Sequence, residues 1–308
     1  MTHHPRRLAF LILTPALALS FAACSTGAVP SSAPSSAPSG GPSAAPSETP
    51  AGSPTSGGIQ YKTGATDVIL RYGETGSMMF GAVATEIPHF TLYGDGTVIF
   101  RNPMLEMPAP QGSVVMSNPM RTAALSEEQI QELLALALGE GGLAAARENY
   151  PNDMVADAST AVFTIDAGGI QKTVSVYALG PDAPNAADAQ ARASFQKLAD
   201  ALADFDQGGS IPTDAYVPEQ YRGVLLESPG MQAPDLRAWP WADLTVADFK
   251  PAADPNGLQF PHRSMTPAEI DQLDVTDYEG GFQGLPLQGT DDKLYTMSLR
   301  PLLPDDES

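Results

Sequence analysis

Residues 25–58 of this 308-residue chain are almost entirely Ser, Pro, Ala, Gly and Thr, with Glu48 the only charge. Such a segment has too little apolar surface to offset the entropy of ordering a backbone, so it is predicted to stay disordered. As a flexible coil its 34 residues span roughly 30–35 Å, and as extended polyproline II roughly 100 Å. Its many hydroxyls also offer attachment points for sugars. The segment reads as a stalk, and it confines folding to the residues beyond it. From residue 59 onward about 250 residues remain, enough for one large or two small domains.

The residues before the stalk have a different character. Arg6 and Arg7 give a positive start, an apolar run extends from Leu8 to Ala23, and it ends Phe21-Ala22-Ala23-Cys24, with Cys24 the only cysteine of the chain. A thiol buried in a core would not have these flanks. A membrane-crossing helix needs roughly 20 apolar residues; this run is shorter and Pro15 interrupts it. The layout resembles a bacterial lipoprotein signal, in which small residues before a cysteine let a peptidase cut and leave the cysteine lipidated at the new N-terminus. The resemblance implies removal of residues 1–23 and a diacylglyceryl group on the sulfur of Cys24, so that two acyl chains such as palmitate enter the membrane, with its nitrogen open to a third. Two or more chains anchor stably where one holds only marginally. Phe21 departs from the pattern, which usually has Leu or another aliphatic residue there. Ser25, rather than an aspartate, comes after the cysteine, so the cell membrane and the outer membrane both stay open. With Cys24 lipidated, the mature chain keeps no thiol for disulfides, redox work or zinc–thiolate sites.

The whole chain carries 16 basic and 36 acidic residues, a net charge of −20. Loss of Arg6 and Arg7 leaves 14 basic residues against the same 36 acids, a net charge of −22. The acid content is ordinary; basic residues are what is missing. Nucleic acid is excluded as a partner, because phosphate binding needs clustered Lys and Arg. A polybasic contact with anionic lipid is excluded on the same ground. Divalent cations and cationic partners are permitted, as is a plain solvated acidic surface.

The body reads as α+β, and it divides near Gly208-Gly209-Ser210-Ile211-Pro212 into segments 59–208 and 209–308. In the first, Phe90–Tyr93 and Thr97–Phe100 flank the turn Gly94-Asp95-Gly96, where glycine supplies positive φ. A second hairpin runs Ala161–Ile165, turns at Asp166–Gly169 and returns through Lys172–Tyr177; an earlier strand is predicted at Asp67–Tyr72. One helix opens at Ser126 with Gln129 completing a capping box and Ile130, Leu133, Leu134 and Ala137 on one face. Another covers about Ala187 to Phe205, with Phe195, Leu198, Leu202 and Phe205 in a stripe. Antiparallel hairpins followed by amphipathic helices predict helices on one sheet face. The second segment, rich in Pro and Gly, predicts a smaller and irregular α+β part. Its clear signals are a helix start at Thr266-Pro267-Ala268-Glu269 and a strand at Lys293–Leu299.

Three runs, Pro88 to Val98, Leu125 to Ile130 and Ala156-Asp157-Ala158-Ser159-Thr160, together resemble bacterial extracytoplasmic lipoprotein domains of unknown function. The match spans about residues 65–206. Many such domains carry cysteines before the first hairpin; this chain has none there. The resemblance implies a surface or envelope domain and no particular activity.

Candidate chemistry is sparse. Only His89 and His262 remain after the signal is removed. His262-Arg263-Ser264 has the residue types of a hydrolase relay, but neighbours in sequence rarely form a triad and no Gly-x-Ser-x-Gly elbow is present; a loop histidine before a helix cap is the simpler reading. Paired carboxylates of an envelope glycosidase are a second enzymatic reading, although with 36 acids any pair can be found. Trp239 and Trp241, in Trp239-Pro240-Trp241, could stack on sugar rings or staple the second segment to the first. Asp204-Phe205-Asp206-Gln207-Gly208-Gly209 begins like a calcium loop, yet its twelfth position is Ala215 in place of a bidentate glutamate. Met104, Met107, Met116 and Met120 fit either a copper(I) thioether site or adaptable packing under a loop. No phosphate loop is present, since Gly139-Glu140-Gly141-Gly142 comes after a helix rather than before one. The expectation is a lipid-anchored binding or structural envelope module without a cofactor. Trp239, Trp241 and the loops Gly94–Gly96 and Gly168–Gly169 are its first candidate surface, and a carboxylate hydrolase and a copper-handling protein are the alternatives.

Overall fold

A computed structural model describes residues 57–76, 85–101, 107–180, 188–207, 211–251 and 260–306, all within one compact unit, Pro50–Ser308. Cys24, most of the predicted stalk, Met104 and Gly208–Ser210 lie outside the described residues. The architecture is a sheet-rich α+β fold built on two sheets.

The first sheet has eight strands among the described residues. They are β1 (Val68–Thr75), β2 (Phe90–Tyr93), β3 (Thr97–Phe100), β5 (Arg121–Ala124), β6 (Asn149–Tyr150), β7 (Thr160–Ala167), β8 (Ile170–Tyr177) and β9 (Asp214–Ala215). Their spatial order is β6-β8-β7-β1-β2-β3-β5-β9. β7 shows why the pattern folds as a strand. Ala161, Phe163, Ile165 and Ala167 are buried, while Thr160, Val162, Thr164 and Asp166 between them keep partial exposure, the period-two alternation of a sheet with one covered face. The β7–β8 turn places Gly168 and Gly169 at φ 63° and 73°, which suits glycine and matches the twist of a two-residue hairpin.

Helix α1 (Glu127–Leu138) is capped as the sequence predicts: Ser126 Oγ accepts from the Gln129 amide, and Gln129 Oε1 accepts from the Ser126 amide at 2.9 Å. Ile130, Leu134 and Ala137 are its buried face. Helix α2 (Ala189–Ala203) buries Phe195, Leu198, Ala199 and Leu202. These side chains share one cluster with Leu70, Phe90, Phe100 and Phe163 of the sheet. Each large apolar side chain so buried contributes about 1.5–3 kcal/mol. α2 also buries Arg192, 3% exposed. Its guanidinium donates to the carbonyls of Tyr150 (3.0 Å), Pro151 (2.8 Å), Tyr177 (3.0 Å) and Ala178 (3.4 Å). A cation inside the core is tolerated here because it closes carbonyls at the ends of β6 and β8 that would otherwise be buried unpaired.

The segment after residue 209 is more regular than predicted. It forms a second sheet from β10 (Tyr221–Glu227), β11 (Arg237–Ala238), β12 (His262–Met265), β13 (Phe282–Gln288) and β14 (Leu294–Pro301), in the order β11-β13-β14-β10-β12. Glycine and proline hide β13 from sequence reading, and the structure shows how each is accommodated. Gly284, at φ 85°, sits in a register shift between Phe282 and Leu285. Pro286 lies between the stretches paired with the neighbours on its outer edge, so its missing N–H breaks no ladder there. His262, read as a loop residue, is in β12 instead. Helix α3 (Pro267–Ile270) has the predicted Thr266–Glu269 capping box but ends after one turn in a 3-10 segment closed by Asp274 at φ 53°.

The two sheets exchange strands. β9, from beyond residue 209, pairs with β5 of the first sheet. β4 (Val115–Met116), from the first half, pairs with Phe282 and Gln283 of β13. The approach at the second crossing is close: a side chain on Gly280 would run into the carbonyl oxygens of Ser117 and Asn118. The C-terminal tail adds a third link. Leu303 packs with Ile87, Tyr93, Ile99 and Met120. Asp305 accepts from Arg71 at 2.6 Å and from the Tyr93 hydroxyl at 2.7 Å.

Candidate functional site

The chain enters the body at one end of β7. Tyr61 bridges Ala167, and the Gly168 amide donates to Gln60 O at 2.7 Å. Gln131 of α1 brackets Ile59, with the Ile59 amide on its Oε1 at 2.7 Å and its Nε2 on Ile59 O at 2.9 Å. Tyr61 donates to Glu127, and Lys62 pairs with Asp166 at 2.8 Å. The Gly94–Gly96 turn is held from the same side, by the Gly94 amide on Asp67 O at 2.9 Å. A Cβ at Gly94 would strike Lys62 O. Both glycine loops singled out as binding loops therefore sit against the entering segment.

The opposite end of β1 and β7 gathers the polar groups. Register pairs Glu74 with Ala161 and Thr75 with Thr160, which brings Ser159 over the end of β1. Glu74 accepts from the Tyr72 hydroxyl at 3.2 Å and from Ser159 Oγ at 3.0 Å, so each of its oxygens has a donor. The buried Tyr72 ring stacks on Phe163 at 4.9 Å and lies 5.5 Å from the His89 ring. Burial pushes the Tyr72 hydroxyl pKa well up, and the charge and hydrogen bond of Glu74 add to it. His89 and Arg101 are cross-strand neighbours beyond the β2–β3 hairpin, with the Arg101 amide on His89 O at 2.8 Å. Burial holds the His89 imidazole below its usual range; the charge of Glu74 opposes this and that of Arg101 reinforces it. Burial also lowers the Arg101 guanidinium pKa, but a guanidinium stays protonated throughout the useful pH range. A cavity of about 290 Å³ borders the cluster, lined by Glu74, Glu86, Pro88, Gly73 and Val162 among others.

The described residues of the cluster are not arranged as a serine–histidine–acid relay. A serine nucleophile needs its hydroxyl on the imidazole and the acid behind it. Here Ser159 donates directly to Glu74, and no hydrogen bond to the His89 ring is found among the described residues. His262 stands elsewhere, its Nδ1 2.9 Å from Phe260 O.

The other candidates are packed or dispersed. Trp241 is 5% exposed and donates to Glu269 O at 2.8 Å; Trp239 is half-buried and donates to Leu244 O at 2.7 Å. Their rings meet edge to face at 5.0 Å and pack with Phe249. Both indole N–H groups are thus satisfied inside the second core. Met116 belongs to that core and Met120 to the cluster around Tyr93, while Met107 is exposed, so these thioethers do not converge. Asp204 caps the end of α2 and Asp206 is buried. Among the described residues no group of three or more His, Cys, Asp or Glu side chains is placed to hold a metal, and no helix is long and apolar enough to cross a membrane. The cluster of Glu74, Ser159, His89 and Arg101 was not legible in the sequence, because Glu74 and Ser159 are 85 positions apart and only strand register joins them. No family model, curated protein or solved structure matches the chain.

Proposed function

We propose that this chain is an extracytoplasmic lipoprotein, anchored by lipid on Cys24, whose body serves the envelope by binding rather than by turnover. The observation that carries the reading is the order of features in the first 58 residues: paired arginines, a short apolar run, small residues, the only cysteine of the chain, and an almost uncharged Ser/Pro/Ala/Gly stalk. In this reading segments 59–208 and 209–308 are the two parts of the head, and α1 and α2 lie over one face of its antiparallel hairpin sheet. The recognising surface is the end of the strands remote from the stalk. The polar cluster and the entering segment are separated by the length of β7, eight residues, about 23 Å at the rise of a strand. An envelope polymer, a protein or a small ligand would meet that end first.

The test is growth with a clickable fatty-acid analogue, followed by membrane fractionation and protease treatment of intact cells. The proposal expects a labelled, membrane-bound, protease-accessible chain, and loss of label and membrane retention in Cys24→Ala. Label or retention that survives in Cys24→Ala would overturn it.

A further inference from the structure

All 14 basic residues outside the signal fall among the described residues, and nearly all have structural work. Seven form ion pairs: Lys62, Arg71, Arg147, Lys197, Arg263, Lys293 and Arg300. Arg121, Lys172, Arg192 and Arg237 close backbone carbonyls. Arg222 has partners of its own, and Lys250 is exposed. Arg101 differs from all of these. It is largely buried, its Nε is inaccessible and unpartnered, and among the described residues its guanidinium has neither a carboxylate nor a carbonyl partner. A cation withdrawn from water is costly unless an anion pairs with it. Among the described residues neither a carboxylate nor a carbonyl closes this largely buried guanidinium, which leaves a place for an anion from outside.

We propose that Arg101, with His89 beside it, forms a binding site for a small oxyanion, a carboxylate or phosphate group on a ligand. The guanidinium presents a planar fork of donors matched to two oxygens of such a group. The imidazole has no hydrogen bond among the described residues and supplies one further donor. Glu74 does not compete for the guanidinium: its two oxygens are held by Tyr72 and Ser159. It bounds the site with negative charge, which favours a ligand whose oxyanion lies next to a hydrogen-bond donor. This assignment rests on the reading of the protein as a binding module and names the chemistry of its ligand.

The test uses the mature chain, residues 24–308, in detergent with labelled histidine, titrated with inorganic phosphate and separately with acetate at constant ionic strength set by chloride. The mature chain holds two histidines, so His262 serves as an internal control of folding. The site predicts a saturable shift of the His89 ring signals with a still His262. Arg101→Gln should weaken it at least about tenfold, the worth of one charge-assisted contact. Arg101→Lys, which keeps charge without the fork, should fall between. Saturation by phosphate alone assigns a phosphate group, by acetate alone a carboxylate, and by both an unselective oxyanion site. No saturable His89 shift with either, or an equal shift in Arg101→Gln whose His262 signal shows it folded, would overturn the site. Neither result would touch the lipid anchor, which fatty-acid labelling tests separately.

Discussion

Asp306→Asn probes the clasp that ties the C-terminal tail to its own sheet. Asp306 accepts from both terminal nitrogens of Arg300, at 2.8 and 2.7 Å, and from the Leu303 amide at 2.8 Å. The side chains of Arg300 and Asp306 are 9% and 21% exposed, so water cannot replace the lost partner fully. Asparagine keeps one acceptor oxygen and removes the charge, leaving Arg300 buried without its counter-ion. Breaking a buried pair from one side costs about 3–5 kcal/mol; the partial exposure of Asp306 brings the expectation to about 2–3 kcal/mol. For a body of this size each kcal/mol is about 2–4 °C in Tm, so thermal unfolding at neutral pH should shift down by roughly 4–12 °C. The pH dependence supplies the sign. Burial alone would raise the Asp306 pKa, but the hydrogen bonds and charge of Arg300, with the Leu303 amide and Arg222, hold it below the ordinary carboxylate value. A depressed folded-state pKa gives stability that is complete above the unfolded value, about 3.9, and is lost as pH falls through the folded value. The gap in Tm between the native chain and Asp306→Asn should therefore be full at neutral pH and narrow below about pH 4. A gap under about 1 °C at pH 7, or one that widens in acid, would refute the assignment.

The packing predicts the outcome of other perturbations. Trp241→Ala empties a buried indole site and frees Glu269 O; chemical denaturation should show a loss of about 3–5 kcal/mol, and Trp239→Ala, half-buried, a smaller one. Equal and negligible losses would return both rings to the surface. Gly280→Ala should destabilise severely or prevent soluble expression, because the new methyl meets two backbone carbonyls at the strand exchange. Gly230→Ala, at φ 76° with no atom near its Cβ position, should cost only about 1–2 kcal/mol of backbone strain. The reverse ranking by thermal shift would count against the exchange of β4 onto β13.

The sequence showed most plainly what is local. The capping boxes at Ser126 and Thr266 need only neighbours a few positions away and both are present, although the helix from Thr266 stops after one turn; the strands on either side of Gly94–Gly96 and of Gly168–Gly169 pair antiparallel. β10 and β13 carried no such signal. In Tyr221–Glu227 the middle residues Gly223, Val224 and Leu225 are all buried, which erases alternation, and β13 contains a glycine bulge and a proline. The two-residue strands β4 and β9 exist because a distant partner offers an edge, which no local pattern encodes. Arg192 was hidden for a related reason. It occupies an otherwise apolar helix stripe and is satisfied by carbonyls from β6 and β8. The tryptophans carried two readings in sequence, and it is the donors' partners, Leu244 O and Glu269 O, that show them packed.

The most direct measurement of the central claim is the intact mass, with N-terminal peptide mapping, of the chain extracted from its own membranes. The account predicts a chain that begins at residue 24, bearing a diacylglyceryl group on Cys24. A chain that begins at Met1, or one cut elsewhere with Cys24 as a free thiol, would contradict it.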